Sequence, residues 1–398
     1  MVIYLNNNAT TATPEIVKNE IHKWLGSGNA SVDDKSKQLL ENAKKYIAKH
    51  CYISLDDYEI IFTSCASESN STIINSVRDM KGKNIITTEI EHSSIIKSCQ
   101  QLDIKVKYLK PNKYGLITKE DVENMIDKNT VLISVMFVNN EIGSINPIRG
   151  IGMIAKKYNI PLHCDAVQMF GKCRLNLSKI NIDALSMSFH KLYGPPGIGL
   201  LILKKSFTHR KNINFNPLIA GSQNNNLRGG TENIPYIAGS IAAMRWNFNN
   251  RLEKNKKICN LINIIMDHLN KKYVFVNYDS FSKTMLNDHD LVIVYYGYYN
   301  KNSQSCNTLL LSIATNKKKM CNMRMKKYLE EHKIIVGIGS ACNAKNKKAS
   351  HVLFSLNAPP VLRRGTLRIS LGDYNTINDI KTFCNVYDKM IKKFVYDN

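Results

Sequence analysis

DALSMSFHKLYGPPGIGLLIL, residues 183–203, is the stretch on which the reading of the fold turns. Ala184–Ser188 is an apolar run of strand character, Pro195-Pro196-Gly197 turns the chain, and Gly199–Leu203 is a second apolar strand. Between them stand Phe189, His190 and Lys191. A lysine at the end of a buried strand is costly unless its amine is paired or chemically employed. One such employment is a Schiff base with an aldehyde cofactor such as pyridoxal phosphate. That cofactor needs an acid for its ring nitrogen, a ring to stack on it and donors for its phosphate.

Working outward, apolar strand-like runs recur at Glu59–Thr63, Asn84–Thr88, Lys105–Leu109, Thr130–Val138 and Pro161–Cys164. Amphipathic stretches such as Ser67–Arg78 and Pro147–Lys157 lie between some of them. Continuous apolar strands alternating with helices predict an α/β fold built on a mainly parallel seven-stranded sheet covered by helices. A polar loop is expected over 212–233, one helical stretch over Pro235–Lys272, further strands at Leu291–Tyr296 and Thr366–Leu371, and a basic surface insertion at Lys317–Lys327. The organisation predicted is a large domain, 14–245, and a smaller α+β C-terminal domain, 246–398, joined by the extended segment 1–13.

Composition narrows the function classes. The 398 residues carry a net charge of +23, but the excess is mostly Lys, spread along an Asn- and Ile-rich chain. A phosphate grip favours Arg forks, so direct nucleic-acid binding is not the expected use. No run of about 18 apolar residues is present, and no membrane span is expected. The N-terminus lacks the features of a signal or transit peptide, which points to a cytoplasmic protein. Ten cysteines without a C-x-x-C pair suggest a reducing compartment and no metal site.

Strand ends in open α/β sheets are where ligands gather, and chemically distinctive residues stand there. Asp165 follows Pro161–Cys164 and can pair with a pyridine nitrogen. Asn140 follows Thr130–Val138. His92 follows Asn84–Thr88 and can stack on a ring or shuttle protons. Glu59–Thr63 leads into Ser64-Cys65-Ala66-Ser67 and a helix whose N-terminus suits a phosphate. Singly, each has an ordinary reading: Lys191 as a snorkelling surface residue, Asp165 as a helix cap, His92 as a first-turn surface histidine. It is their joint occurrence that points to a cofactor site.

The motifs YLNNNATT (4–11), FTSCASES (62–69), TEIEH (88–92), VNNEIG (138–143), HCDAVQ (163–168), RGGTEN (228–233), GSAC (339–342) and RISLG (368–372) complete the pattern. In this order the chain resembles the pyridoxal-phosphate-dependent cysteine desulfurases of the NifS and IscS type, which are fold type I enzymes. The resemblance implies a homodimer that takes sulfur from L-cysteine for iron–sulfur cluster assembly or RNA thiolation, through a sulfur-acceptor protein. It implies Lys191 as the cofactor-linked lysine and proton carrier, Asp165 at the ring nitrogen, and His92 over the ring. Asn140 and Gln168 are implied beside the ring, with Ala66, Ser67, Ser188, His190 and a partner subunit's Thr231 at the phosphate. Arg368, with Asn140, is implied to hold the substrate, and Cys342 to accept the sulfur as a persulfide. The polar segment Asn343–Ser350, with Lys345, Lys347 and Lys348, is expected to be a mobile carrier of that thiol.

Five positions depart from the family pattern. Asn6 replaces an Asp, Cys65 a Gly, Ser67 a Thr, and Phe189 a small residue, while Asp373 stands where Arg is common. Cys65 is expected to intrude on the phosphate loop and Phe189 either to crowd the pocket or to point into the core. Two rivals stay open at this point: another fold type I enzyme, such as a selenocysteine lyase or an aminotransferase, and a weakly active scaffold working through partners.

Overall fold

The structure is a computed structural model that describes residues 2–173, 175–210, 213–297, 304–339 and 350–397. Cys342 and Lys345, Lys347 and Lys348 lie outside the described residues. The strands, in chain order, are β1 (Ile3–Leu5), β2 (Tyr58–Thr63), β3 (Asn84–Thr88), β4 (Lys105–Leu109), β5 (Thr130–Ser134), β6 (Leu162–Asp165), β7 (Ala184–Ser188), β8 (Gly199–Lys204), β9 (Val274–Asn277), β10 (Val292–Tyr295), β11 (Thr308–Ala314), β12 (Ile334–Val336) and β13 (Thr366–Ser370).

Seven of them form one sheet in the order β2-β8-β7-β6-β5-β3-β4. Only β8 runs against the others. Every residue of β3, β5, β6 and β7 is buried, as strands covered on both faces must be. Alternate residues feed two cores: Ile60, Ile86, Ile133 and Leu200 pack on one face, and Ile61, Ile85, Leu132 and Leu201 on the other. His163 ties the middle together, its two ring nitrogens meeting Ser134 Oγ at 2.9 Å and Ser186 Oγ at 3.0 Å. Burial pushes that imidazole down to about 3, so it is neutral at physiological pH.

The expected Thr130–Val138 strand stops at Ser134. Its continuation still bonds β6, from Val135 N–H to the His163 carbonyl and from Phe137 N–H to the Asp165 carbonyl. On the other side, however, the Met136 N–H goes to the Glu91 carboxylate at 2.8 Å instead of to a strand.

A second sheet, in the order β13-β11-β10-β9, carries its own cores on two faces. β1 pairs in parallel with β12, and Asn7 N–H bonds the Ser370 carbonyl at the end of β13. The N-terminal segment therefore packs with this sheet before it crosses to the first. The expected helix over 235–272 is two helices, Ile234–Phe248 and Arg251–Lys272. They break at Asn249 and at Asn250, which takes a left-handed φ of 56°, a conformation asparagine tolerates. The basic insertion over 317–327 is only partly surface, because its second half starts helix Asn322–Glu331, which buries Met325 and Leu329. Helices begin at Ala66 and Ile148 where 67 and 147 were expected.

The carboxyl ends of β2, β3, β6 and β7 thus open on one edge of the large sheet, and Gly199 lets the helix after β2 approach it. A methyl group at 199 would sit 2.4 Å from the Cys65 carbonyl carbon and 2.8 Å from the Ala66 nitrogen. Backbone on both sides leaves little room to yield. Gly199→Ala is expected to lower stability to urea by roughly 1–3 kcal/mol, the usual cost of overpacking. A variant with the parent's unfolding midpoint would show that the helix can shift freely.

Candidate active site

At that edge lies a cavity of about 240 Å³ lined by Ala66, Ser67, His92, Asp165, Lys191 and Arg368, among others. Lys191 ends the short turn Phe189–Lys191 that follows β7. Its Nζ donates to the backbone carbonyls of Asn8 at 2.5 Å and Ala9 at 2.7 Å.

Asp165 ends β6 and is buried. One carboxylate oxygen accepts the Val167 N–H at 3.0 Å and the other accepts Asn70 Nδ2 at 2.9 Å. The same Asn70 amide donates to Ser94 Oγ at 2.9 Å, and Ser94 Oγ lies 2.9 Å from His92 Nδ1. The Ser94 N–H also donates to His92 Nδ1, which leaves the imidazole proton on Nε2. Burial holds the His92 pKa below its ordinary value, against the pull of Asp165. Asn70 therefore couples the acid to the imidazole, and nothing in its sequence context singled it out.

On another wall of the cavity, Ala66 and Ser67 open helix Ala66–Asn75. The first N–H groups of a helix have no acceptor within it, and with the helix dipole they suit an anion. Ser188 and His190 line the same space. His190 Nδ1 lies 3.1 Å from Thr10 Oγ1, and burial, with Lys191 adding to it, pushes the ring down to about 4. Cys65 also lines the cavity, but its φ of −171° is ordinary extended backbone, so the side chain replacing glycine costs no strain here. Phe189 points into the core and stacks on Phe62, with ring centroids 6.3 Å apart. It does not crowd the cavity.

Arg368, on β13, reaches the cavity from the second sheet. Nη1 donates to the Asn140 carbonyl at 2.9 Å and Nη2 to Asn6 Oδ1 at 2.8 Å, while its Nε has no partner among the described residues. Asn6 thus holds the guanidinium through a neutral oxygen where an Asp would neutralise its charge. Gln168 is buried, with Nε2 bonded to the Asn8 carbonyl at 3.0 Å. Asp373 lies outside this cavity, where its carboxylate meets Lys254 at 3.2 Å.

Thr231, expected at the phosphate of a partner's site, is exposed outside this chain's own cavity, on a loop tied to helix Ala66–Asn75 by an Arg228–Glu68 ion pair at 3.0 Å. Cys342 falls outside the described residues.

Residues 3–383 match the family described as aminotransferase class-V. The chain belongs to the class-V aminotransferase family. It is 33% identical over 406 residues to a cysteine desulfurase IscS of Clostridium botulinum, covering 98% of this chain and 94% of that one. A solved NifS-like protein from Rickettsia africae superposes with a TM-score of 0.83 at 28% identity, covering 98% of this chain and all of the other. SspA, solved in complex with cysteine, superposes at 0.71 with 29% identity over 94% of this chain and all of its own. Pyridoxal phosphate is the cofactor of the family, and the groups at this cavity fit it: an amine for the aldehyde, a buried carboxylate for the ring nitrogen, an imidazole, and a helix N-terminus with hydroxyls for the phosphate.

Glu91, behind His92, is fully buried and accepts from Thr88 Oγ1 at 2.9 Å and from Met136 N–H at 2.8 Å. Its second oxygen has no partner among the described residues, and burial pushes its pKa up to about 8. A raised carboxyl pKa means that the folded chain keeps a proton which the unfolded chain releases near 4.3. That contribution is complete below the unfolded value and is lost as pH rises through about 8. The melting temperature of the parent is expected to fall relative to Glu91→Gln between pH 6 and 9. Parallel curves would mean that Glu91 is already ionised.

Proposed function

We propose that the chain is a pyridoxal-phosphate-dependent cysteine desulfurase that converts L-cysteine to L-alanine and leaves the sulfur as a persulfide on Cys342. The observation carrying this reading is the convergence of Lys191, Asp165, His92 and Arg368, from both sheets, on one cavity. When bound, the cofactor supplies an electron sink for charge developed at the substrate's α-carbon.

The chain supplies the rest. Lys191 Nζ would hold the cofactor through its aldehyde and would carry the α-proton of cysteine. Asp165 holds the proton on the ring nitrogen, with Asn70 keeping the carboxylate aimed. His92, its proton held on Nε2 by Ser94, would stack over the ring, with Asn140 and Gln168 beside it. The N-terminus of helix Ala66–Asn75, with Ser67, Ser188 and His190, holds the phosphate. Arg368 grips the substrate carboxylate, a task its planar fork suits. The Cys342 thiolate attacks the cysteine sulfur: a sulfur–sulfur bond forms, the carbon–sulfur bond breaks, and its electron pair with a proton completes the methyl group of alanine.

Around this chemistry we place a cytoplasmic homodimer, with Thr231 reaching the phosphate of the partner's site and a sulfur-acceptor protein receiving the persulfide for iron–sulfur assembly or RNA thiolation. Among the described residues no helix is long and apolar enough to cross a membrane. The division at 245/246 into cofactor-binding and C-terminal domains is supported by the separate cores of the two sheets.

Alanine released from L-cysteine by the cofactor-loaded protein is the test. The parent is expected to turn over, and Cys342→Ala to lose on the order of 100-fold or more in kcat, as removal of a nucleophile does. Equal turnover by both proteins would assign the sulfur elsewhere.

A further inference from the structure

Lys172 belongs to no step above, yet its amine ends beside the reacting lysine. It follows Gly171 in the turn after β6. Gly171 has a φ of 83°, and a β-carbon there would meet Leu192 Cδ1 at 2.0 Å, so the turn is pressed against the residue next to Lys191. Lys172 Nζ donates to Gln168 Oε1 at 2.8 Å and to Asn8 Oδ1 at 3.1 Å, both neutral oxygens. Gln168 Nε2 in turn donates to the Asn8 carbonyl, the same oxygen that accepts Lys191 Nζ.

We propose that Lys172 is a positioning residue for the active site: it fixes the amide of Gln168 and sets a second positive charge beside Lys191. An ammonium on one side and a carbonyl on the other admit only one orientation of that amide, with Oε1 toward Lys172 and Nε2 toward Asn8. The charge disfavours a second cation next to it, so Lys191 and the linkage it forms hold their proton less tightly.

The surroundings keep that charge uncompensated. Lys191 and Arg368 act on Lys172 as like charges, and Cys173 and Cys306 act in the opposite sense. The helix packed over the turn adds Arg251, Lys256, Cys259 and the Lys254–Asp373 pair, on the wall of a cavity of about 720 Å³ that Lys172 and Lys191 both border. Burial, reinforced by Lys191, pushes the ammonium down to about 7, so it is still partly charged at neutral pH.

The inference rests on Lys191 carrying the cofactor, and the experiment separates the two. The holoprotein is titrated with pH while the absorbance of the cofactor–lysine linkage is followed, in the parent, Lys172→Met and Lys172→Arg. Loss of the neighbouring charge is expected to raise the midpoint by about one pH unit, and Lys172→Arg to restore it. A role confined to packing would alter melting temperature without moving the midpoint. If Lys172→Met does not fold, Lys172→Gln keeps a donor to Gln168 without the charge and is expected to show the same rise. A folded Met or Gln variant that titrates with the parent overturns the role of Lys172 and leaves the active site standing. A parent without a pH-dependent cofactor band removes the reading of Lys191, and this inference with it.

Discussion

Asn8 is the residue on which the site's assembly depends. Its backbone carbonyl accepts Lys191 Nζ and Gln168 Nε2 from the large sheet. Its side-chain oxygen accepts Lys172 Nζ and Asn307 Nδ2, and its amide donates to Thr308 Oγ1 at 2.7 Å and to the Asn140 carbonyl at 3.2 Å. Its N–H donates to Ser370 Oγ at 2.9 Å. A buried polar group left unpaired is costly, and here every donor and acceptor of one asparagine is used to join groups from two sheets. The relative placement of Lys191 and Arg368 follows from that junction, because the segment that carries Asn8 is paired to β12 and β13 at one end and to the Lys191 turn at the other.

The electrostatics of the site are built from neutral partners around a few charges. Lys191 and Lys172 rest on carbonyl oxygens, and Arg368 rests on a carbonyl and on Asn6 Oδ1. Glu141, buried nearby, takes Ser350 Oγ at 2.5 Å and draws on Arg368 only at longer range. Cations held in this way keep their attraction for a carboxylate or an anionic cofactor, whereas a direct carboxylate partner would cancel it.

Much of this was legible in the chain. Buried strands read as apolar runs because both faces are covered, and six of the seven large-sheet strands fall within one residue of expectation. Asp165, His92 and Lys191 were visible as polar residues at the ends of such runs, where no packing argument explains them. Asn70 and Lys172 were not, and Asn8 and Glu91 stood only inside quoted motifs without a role, because such polar residues acquire their roles only from partners distant in sequence. Phe189 looked like an obstacle for the same reason, since its direction into a core is a property of the fold, whereas Cys65 does stand on the cavity wall, in ordinary extended backbone. The break at Asn249-Asn250 falls in the run Trp246-Asn247-Phe248-Asn249-Asn250, whose weak helix formers were overridden in the reading by the stronger ones on either side.

The central claim is that the Lys191 amine carries the cofactor. Borohydride reduction of the pyridoxal-phosphate-loaded protein, followed by protease digestion and mass spectrometry, locates the trapped cofactor directly. It is expected on the peptide containing Lys191, with no label in Lys191→Ala. Label on Lys172 or another lysine, with Lys191 unmodified, would contradict the assignment.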